Sequence, residues 1–126
     1  MRWLVDGMNL MGSRPDGWWR DRAGARRRLV GDLAAFAAGR PGDDLAVVFD
    51  GRWQPDEVTA AADAGVTMAF APGGPDAADR VIADLARADP DPGQLTVITS
   101  DRALVAQVQA AGVAVVGVSA FRRLLP

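Results

Sequence analysis

Three short apolar runs in this sequence end in an aspartate, at or just beyond the last apolar residue. They cover residues 2–6, 45–50 and 95–101 and end on Asp6, Asp50 and Asp101. The run over 45–50 has no polar residue before its aspartate, which is typical of a strand buried on both faces of a parallel sheet. Because sites in open α/β sheets lie at the carboxyl ends of the strands, we expect these carboxylates to meet at one edge of a sheet.

Strand and helix patterns alternate along the whole chain. We predict strands over 2–6, 45–50, 66–71, 95–99 and 113–118, helices over 20–38, 56–64, 76–88, 101–111 and 119–125, and a loop over 7–19. The alternation predicts an α/β fold, a three-layer α/β/α sandwich around a central, mainly parallel five-stranded sheet. The first strand is expected near the middle of that sheet. A length of 126 residues fits a single domain, 1–126.

Two of the predicted helices carry more specific expectations. Within 76–88, helical spacing places Val81, Ile82 and Leu85 on the face toward the core. Ser119 is the expected N-cap of the last helix, because a serine hydroxyl can accept a hydrogen bond from a free backbone N–H in the first turn.

Histidine, lysine and cysteine are all absent, so the 14 basic residues are arginines beside 16 acidic residues. Their absence excludes serine–histidine hydrolysis, cysteine nucleophiles, P-loops and Schiff bases. Carboxylates must therefore carry any catalysis, and carboxylate and hydroxyl oxygens suit Mg²⁺ or Mn²⁺. The net charge of −2 does not itself predict nucleic-acid binding, although arginines concentrate in the first quarter of the chain.

A fourth carboxylate, that of Asp79, falls in the first turn of the helix after the third strand and projects to the same edge. Four like charges this close call for a divalent cation. Each carboxylate also has a simpler interpretation. Asp101 can cap a helix, Asp50 can belong to a turn, and an Asp76 cap can leave Asp79 to complement the helix dipole. Asp6 has the weakest alternative role, because a charge that ends a buried strand contributes little to packing.

The residues around these carboxylates have two interpretations each. Asn9 can bind a metal or brace the turn after Asp6, and Ser100 and Thr99 can supply supporting hydroxyls. The tryptophan pair in the predicted loop can stack on nucleic-acid bases or pack on the core. Nearby arginines can hold phosphates or form salt bridges. The candidates for RNA binding are Arg14, Trp18, Trp19, Arg20, Arg80 and Arg102.

Several motifs resemble those of NYN domains, which are PIN-like nucleases. Val5-Asp6-Gly7-Met8-Asn9 resembles their DGxN opening, and Val47-Val48-Phe49-Asp50-Gly51 is similar to their second strand. Three later segments resemble the YacP-like branch, namely the ADxxI helix start at residues 76–82, the TSD signature at 99–101 and the closing S..F segment at 118–121. The motifs run the length of the chain in the family's order.

The resemblance implies a PIN-like fold and a metal-dependent ribonuclease, with endonucleolytic or exonucleolytic cleavage left open. By position, its catalytic metal ligands would be Asp6, Asp50, Asp79 and Asp101, with Asn9, Ser100 and Asp76 supporting them. One or two Mg²⁺ or Mn²⁺ ions are the expected cofactors, and RNA is the expected partner. Because lysine is absent, contacts with RNA phosphates fall to arginine.

Two other functions fit the same topology. A phosphatase or phosphoryl acceptor of the haloacid-dehalogenase or response-regulator kind typically needs a lysine, and the haloacid-dehalogenase opening also needs an aspartate where Met8 stands. A non-catalytic RNA-binding or partner-binding PIN-like module would keep the fold without cleavage. A second copy of the chain, a ribosome or an antitoxin are further partners left open. No signal peptide or membrane span is visible, so a cytoplasmic protein without a membrane partner is expected.

Overall fold

The structure is a computed structural model that describes all residues from Met1 to Pro126. Its centre is a five-stranded sheet in which every neighbouring pair is parallel and the strand order is β3-β2-β1-β4-β5. The strands are β1 (Arg2–Asp6), β2 (Asp44–Asp50), β3 (Thr67–Ala71), β4 (Leu95–Ile98) and β5 (Ala114–Val116). The predicted α/β class and the central place of the first strand are confirmed, and the sheet is parallel throughout.

Six α-helices connect and cover these strands. They are α1 (Gly7–Gly12), α2 (Arg22–Ala38), α3 (Pro55–Asp63), α4 (Ala77–Ala88), α5 (Arg102–Ala110) and α6 (Val118–Arg122), with short 3₁₀ helices at Trp18–Arg20 and Pro92–Gln94. None of the helices is both long and apolar enough to cross a lipid bilayer.

The sheet separates two hydrophobic cores, which gives the predicted three layers. One core joins one face of the sheet to α1, α2, α3 and α6 and includes an aromatic group in which Phe36 lies 5.2 Å from Trp3 and 5.0 Å from Phe121, centroid to centroid. The other core joins the opposite face to α4 and α5. Alternate residues of each strand enter opposite cores, because successive side chains in a strand point to opposite faces.

The prediction of a loop over residues 7–19 is wrong at its start, where α1 forms. The carboxylate of Asp6 accepts a hydrogen bond from the backbone N–H of Asn9 and so caps this helix. Leu10 and Met11 of this helix are buried in the core, and their burial stabilises a short helix that begins and ends with glycine. Gly7 does not make a left-handed turn here. It is needed because an added Cβ would stand 2.6 Å from the Phe49 ring.

Two expectations about the other helices are also wrong. Val81 and Leu85 are exposed on α4, whose inward face consists of alanines together with Ile82. Alanines let the helix approach the sheet closely, so the larger apolar residues turn outward. Ser119 lies inside α6 and does not cap it, because the cap position belongs to Gly117 and the Ser100 hydroxyl accepts the hydrogen bond from the Val118 N–H at 2.9 Å.

Candidate functional site

The carboxyl edge of the sheet carries an acidic pocket around the ends of β1, β2 and β4. The pocket is lined by Asp6, Met8, Asn9, Trp18, Asp50, Asp76, Ala78, Asp79 and Asp101. All four predicted metal-ligating aspartates therefore line one pocket, together with the predicted supporting residues Asn9 and Asp76. Their segments reach this edge because a parallel sheet delivers every strand end to the same side.

Asp6 is the most buried of the four, with 3 % of its surface exposed. The Thr99 hydroxyl donates to its Oδ2 at 2.8 Å, and the Asn9 N–H donates to its Oδ1 at 3.3 Å. Burial raises the pKa of Asp6, and the charges of Asp101 and Asp50 raise it further, whereas the two hydrogen bonds oppose the shift. The side chain is thus held in one orientation while its negative charge is disfavoured.

Asp50 at the end of β2 caps a helix that belongs to a different part of the chain. Its Oδ1 accepts a hydrogen bond from the Ala78 N–H of α4 at 2.7 Å. Asp76 occupies the cap position of α4 in sequence, but it lies in the left-handed region at φ 65° and its side chain makes no capping hydrogen bond. The predicted capping role of Asp76 is therefore wrong as far as its side chain is concerned.

Asp101 caps α5, since its Oδ1 accepts a hydrogen bond from the Leu104 N–H at 2.9 Å. The simpler interpretation of Asp101, that it caps a helix, is therefore correct for one of its oxygens. Its Oδ2 makes no hydrogen bond within the protein, so capping leaves one oxygen of the carboxylate facing the pocket.

Asp79 differs from the other three because its side chain accepts no hydrogen bond from the protein. Its pKa is raised to about 6, first by burial and then by the charges of Asp6, Asp101, Asp76 and Asp50. A carboxyl group that titrates near neutrality among other carboxylates is a place where a cation would be stabilised.

Asn9 and Ser100 connect the strand ends to each other. The side-chain oxygen of Asn9 accepts a hydrogen bond from the Ser100 N–H at 2.8 Å, which joins α1 to the segment after β4. The hydroxyl of Ser100 accepts from α6 in turn. Asn9 therefore has a bracing role, but its side chain braces the segment after β4, whereas the turn after Asp6 is held by the Asn9 backbone N–H. Asn9 also lines the pocket.

The predicted RNA-binding residues lie around the pocket in different ways. Trp18 lines it, Trp19 beside it is 54 % exposed, and the Arg20 guanidinium lies 5.7 Å from the Trp19 ring centroid. The other three candidates, Arg14, Arg80 and Arg102, are exposed and do not line the pocket. Arg14 instead lines a separate small cavity with Arg28 and Arg122.

The donor atoms at this edge have the chemistry that Mg²⁺ and Mn²⁺ require, since they are carboxylate oxygens from several elements. As the side chains stand, however, no group of three or more acidic residues is arranged so that it could hold a metal ion. Caps engage one oxygen of Asp50 and one of Asp101, and both oxygens of Asp6 are engaged. The ligand chemistry fits, and joint coordination would require the side chains to move together.

Sequence reasoning underestimated two residues of this edge. Thr99 was expected only as a general source of a hydroxyl, but it is fully buried and donates to Asp6. Trp53 was not singled out, although it lies in the turn just after Asp50 and is the most exposed large apolar residue of the chain at 68 %. A tryptophan in a Gly-Arg-Trp turn at a strand end is the sequence signal that points to it.

The parallel five-stranded sheet, with helices on both faces and aspartates at the ends of its central strands, is an α/β fold of the PIN-like kind. The sequence matches the YacP-like NYN domain family over residues 3–125, so the chain belongs to that family. This is a ribonuclease-type family.

Two crystal structures of Rae1 (YacP) from Bacillus subtilis have a similar fold. The W164L mutant gives a TM-score of 0.73 at 23 % identity, over 98 % of this chain and 74 % of that one. The other structure gives 0.70 at 22 % identity, over 98 % and 72 %. No curated protein matches the sequence.

Proposed function

We propose that this protein is a metal-dependent ribonuclease that hydrolyses RNA phosphodiester bonds at the acidic pocket. The observation that carries the proposal is the meeting of Asp6, Asp50, Asp79 and Asp101 from four elements in one pocket. Membership of a ribonuclease-type family supports RNA as the substrate.

The residues that would hold the ion are these same four aspartates. A divalent cation bound there would supply a water of lowered pKa and would stabilise charge on the phosphate oxygens. Thr99 keeps the Asp6 carboxylate oriented, while Asn9 and Ser100 hold the ends of the neighbouring segments at a fixed separation. The amino ends of α4 and α5 open onto the same edge, where their backbone dipoles favour the negative charge of a phosphate.

Histidine is not needed for this arrangement, which agrees with a chain that has none. Asp79 is the carboxylate best placed to respond to a cation, because burial and then the neighbouring carboxylates raise its pKa, and a bound positive charge would offset both effects. Proton loss from Asp79 would therefore accompany metal binding below neutral pH.

The test is cleavage of end-labelled single-stranded and structured RNA by the full chain with Mn²⁺, with Mg²⁺ and with a chelator. Asp79→Asn and Asp101→Asn should reduce cleavage by more than the roughly 10- to 100-fold cost typical of losing an outer partner of a metal site. Asp84→Asn is the matched control, because Asp84 lies on α4 like Asp79 but has a side chain that is 77 % exposed. Cleavage that survives both pocket substitutions would refute the assignment.

A second candidate is a non-catalytic RNA-binding module. The observation that favours it is that no three acidic side chains are arranged to hold a metal ion. Titration calorimetry with Mn²⁺ separates the two functions. Binding that Asp79→Asn weakens and Asp84→Asn leaves unchanged supports the nuclease, whereas RNA binding without any Mn²⁺ binding or cleavage supports the module.

A further inference from the structure

The four tryptophans of the chain occupy two kinds of environment. Trp3 belongs to the core, where it packs against Phe36 and its Nε1 donates to Asp43 at 3.0 Å. Trp18, Trp19 and Trp53 all lie in connections at the carboxyl edge, and none of their indole N–H groups makes a hydrogen bond within the protein. Packing explains the first tryptophan but not the exposure of Trp19 and Trp53.

Trp19 is placed next to the pocket by its neighbour. Trp18 lines the pocket and packs partly on the core, and the Trp19 ring stands edge-on to it with centroids 6.0 Å apart. Trp19 itself remains 54 % exposed, with the Arg20 guanidinium beside its ring. An apolar ring and a cation are therefore presented together to solvent at the rim of the pocket.

Trp53 lies in the turn after β2, close in sequence to the pocket residue Asp50. It follows Asp50 by three residues, so its Cα lies within about 11 Å of the Asp50 Cα, whatever path the turn takes. The ring is 68 % exposed, and no aromatic ring or guanidinium in the protein stacks on it. Arg52 precedes it and is exposed as well.

An ion pair ties together the two helices that follow these tryptophans. Arg26 of α2 donates to both carboxylate oxygens of Glu57 of α3, at 2.7 and 2.8 Å. Both residues lie close to the starts of their helices. The two helices that follow Trp19 and Trp53 are thus joined to each other near their amino ends.

We propose that Trp53 and Trp19 form two stacking surfaces for unpaired bases, so that the pocket receives single-stranded RNA. The inference rests on the proposed function, because it takes RNA as the ligand. Every base has a face that can stack on an indole ring, and the neighbouring Arg20 and Arg52 supply charge for the backbone. Bases inside a duplex are already stacked and cannot reach such rings.

Binding of a fluorescent single-stranded RNA oligonucleotide tests the proposal directly. It is measured on the full chain with a chelator present, so that cleavage does not interfere. Trp53→Ala and Trp19→Ala should each weaken binding about 5- to 150-fold, the range that follows from losing one stacked base. Trp53→Phe should restore most of the loss. Wild-type protein should bind the matching duplex more weakly than the single strand.

Leu85→Ala is the control, because Leu85 is an exposed apolar residue on α4 at 49 % and lies outside the pocket. The proposal is overturned if Trp53→Ala binds the single strand as tightly as Leu85→Ala does, or if the duplex binds as well as the single strand. If Trp53 matters for binding but the wild-type protein cleaves no RNA with Mn²⁺, the nuclease assignment fails and the stacking surface stands. If the wild type cleaves RNA with Mn²⁺ but Trp53→Ala binds the single strand normally, the nuclease assignment stands and the stacking surface is refuted.

Discussion

The carboxylate of Asp50 accepts a hydrogen bond from the backbone N–H of Ala78 at 2.7 Å, so a strand end caps the helix that carries Asp79. This bond spans 28 residues of sequence and joins the second strand to the fourth helix. The position of Asp79 in the pocket therefore depends on Asp50.

Replacing Asp50 separates its capping role from its charge. Asp50→Ala should lower the free energy of unfolding by about 0.5–2 kcal/mol relative to Asp50→Asn, because asparagine can still accept the Ala78 hydrogen bond and alanine cannot. Both variants remove the same negative charge, so the difference between them isolates the cap. Urea unfolding at neutral pH measures it. Equal stability of the two variants would show that the cap contributes nothing.

Asp79 should make the stability of the metal-free protein depend on pH. Its pKa in the fold is about 6, above the ordinary value of 3.8 for an aspartate, so the folded state binds the proton more tightly than the unfolded state. Stability from this group is present at low pH and is lost as pH rises through that window. The melting temperature should therefore rise on acidification from pH 7 to about pH 5.

Asp79→Asn provides the comparison for that pH effect. The variant cannot bind the extra proton, so it should melt above the wild type at pH 7 and should lose part of the gain on acidification. Asp84→Asn, on the exposed side of the same helix, should follow the wild type. A wild type whose melting temperature tracks that of Asp79→Asn between pH 5 and 7 would contradict the raised pKa.

Thr99 should contribute more to the stability of the fold than its small side chain suggests. Thr99→Val removes a hydrogen bond to a buried carboxylate and should cost about 1.5–3 kcal/mol of unfolding free energy at neutral pH. It should also raise the pKa of Asp6 further, because this hydroxyl opposes the effect of burial. Thr96→Val is the control, since Thr96 is buried in β4, three residues before Thr99, but its hydroxyl donates only to the Met1 sulfur. Similar losses from both variants would argue against a special role for Thr99.

Gly7 should not tolerate a methyl group. Gly7→Ala places a Cβ at 2.6 Å from the Phe49 ring and 2.8 Å from the Val48 carbonyl oxygen, and should cost about 1–3 kcal/mol through overpacking. Gly31→Ala is the matched control, because Gly31 lies in α2 with no atom within 4 Å of the added Cβ. That change should stabilise the protein by about 0.5–1 kcal/mol. Calorimetric melting of both variants checks the opposite signs.

The three central strands, β1, β2 and β4, were predictable from the sequence because they are largely apolar runs that neighbours on both sides and helices on both faces bury. The helix α1 was not, because what starts it is the Asp6 carboxylate and what holds it is the burial of Leu10 and Met11. The outward turn of Val81 and Leu85 escaped prediction for a related reason. Periodicity locates an apolar stripe, but it does not say that alanines allow a closer approach to the sheet.

The meeting of the four aspartates in one pocket followed from strand ends and one helix start, which sequence reveals. The hydrogen-bond partners did not follow, because they depend on side chains distant in sequence. Asp50 with Ala78, Asp6 with Thr99 and Asn9 with Ser100 are separated by 28, 93 and 91 residues. The bracing role of the Asn9 side chain depends on Ser100, which is 91 residues away in sequence and lies beside it only in the folded chain.

The four aspartates contribute differently to the fold, and this difference affects how the sequences of relatives can be interpreted. The carboxylates at positions 6, 50 and 101 serve the fold itself, because these side chains accept hydrogen bonds that begin helices. Asp79 receives no such bond, and its charge opposes folding at neutral pH. Asp79 is therefore the one aspartate of the four whose presence the fold does not explain, so a carboxylate at this position in a relative indicates a requirement other than folding.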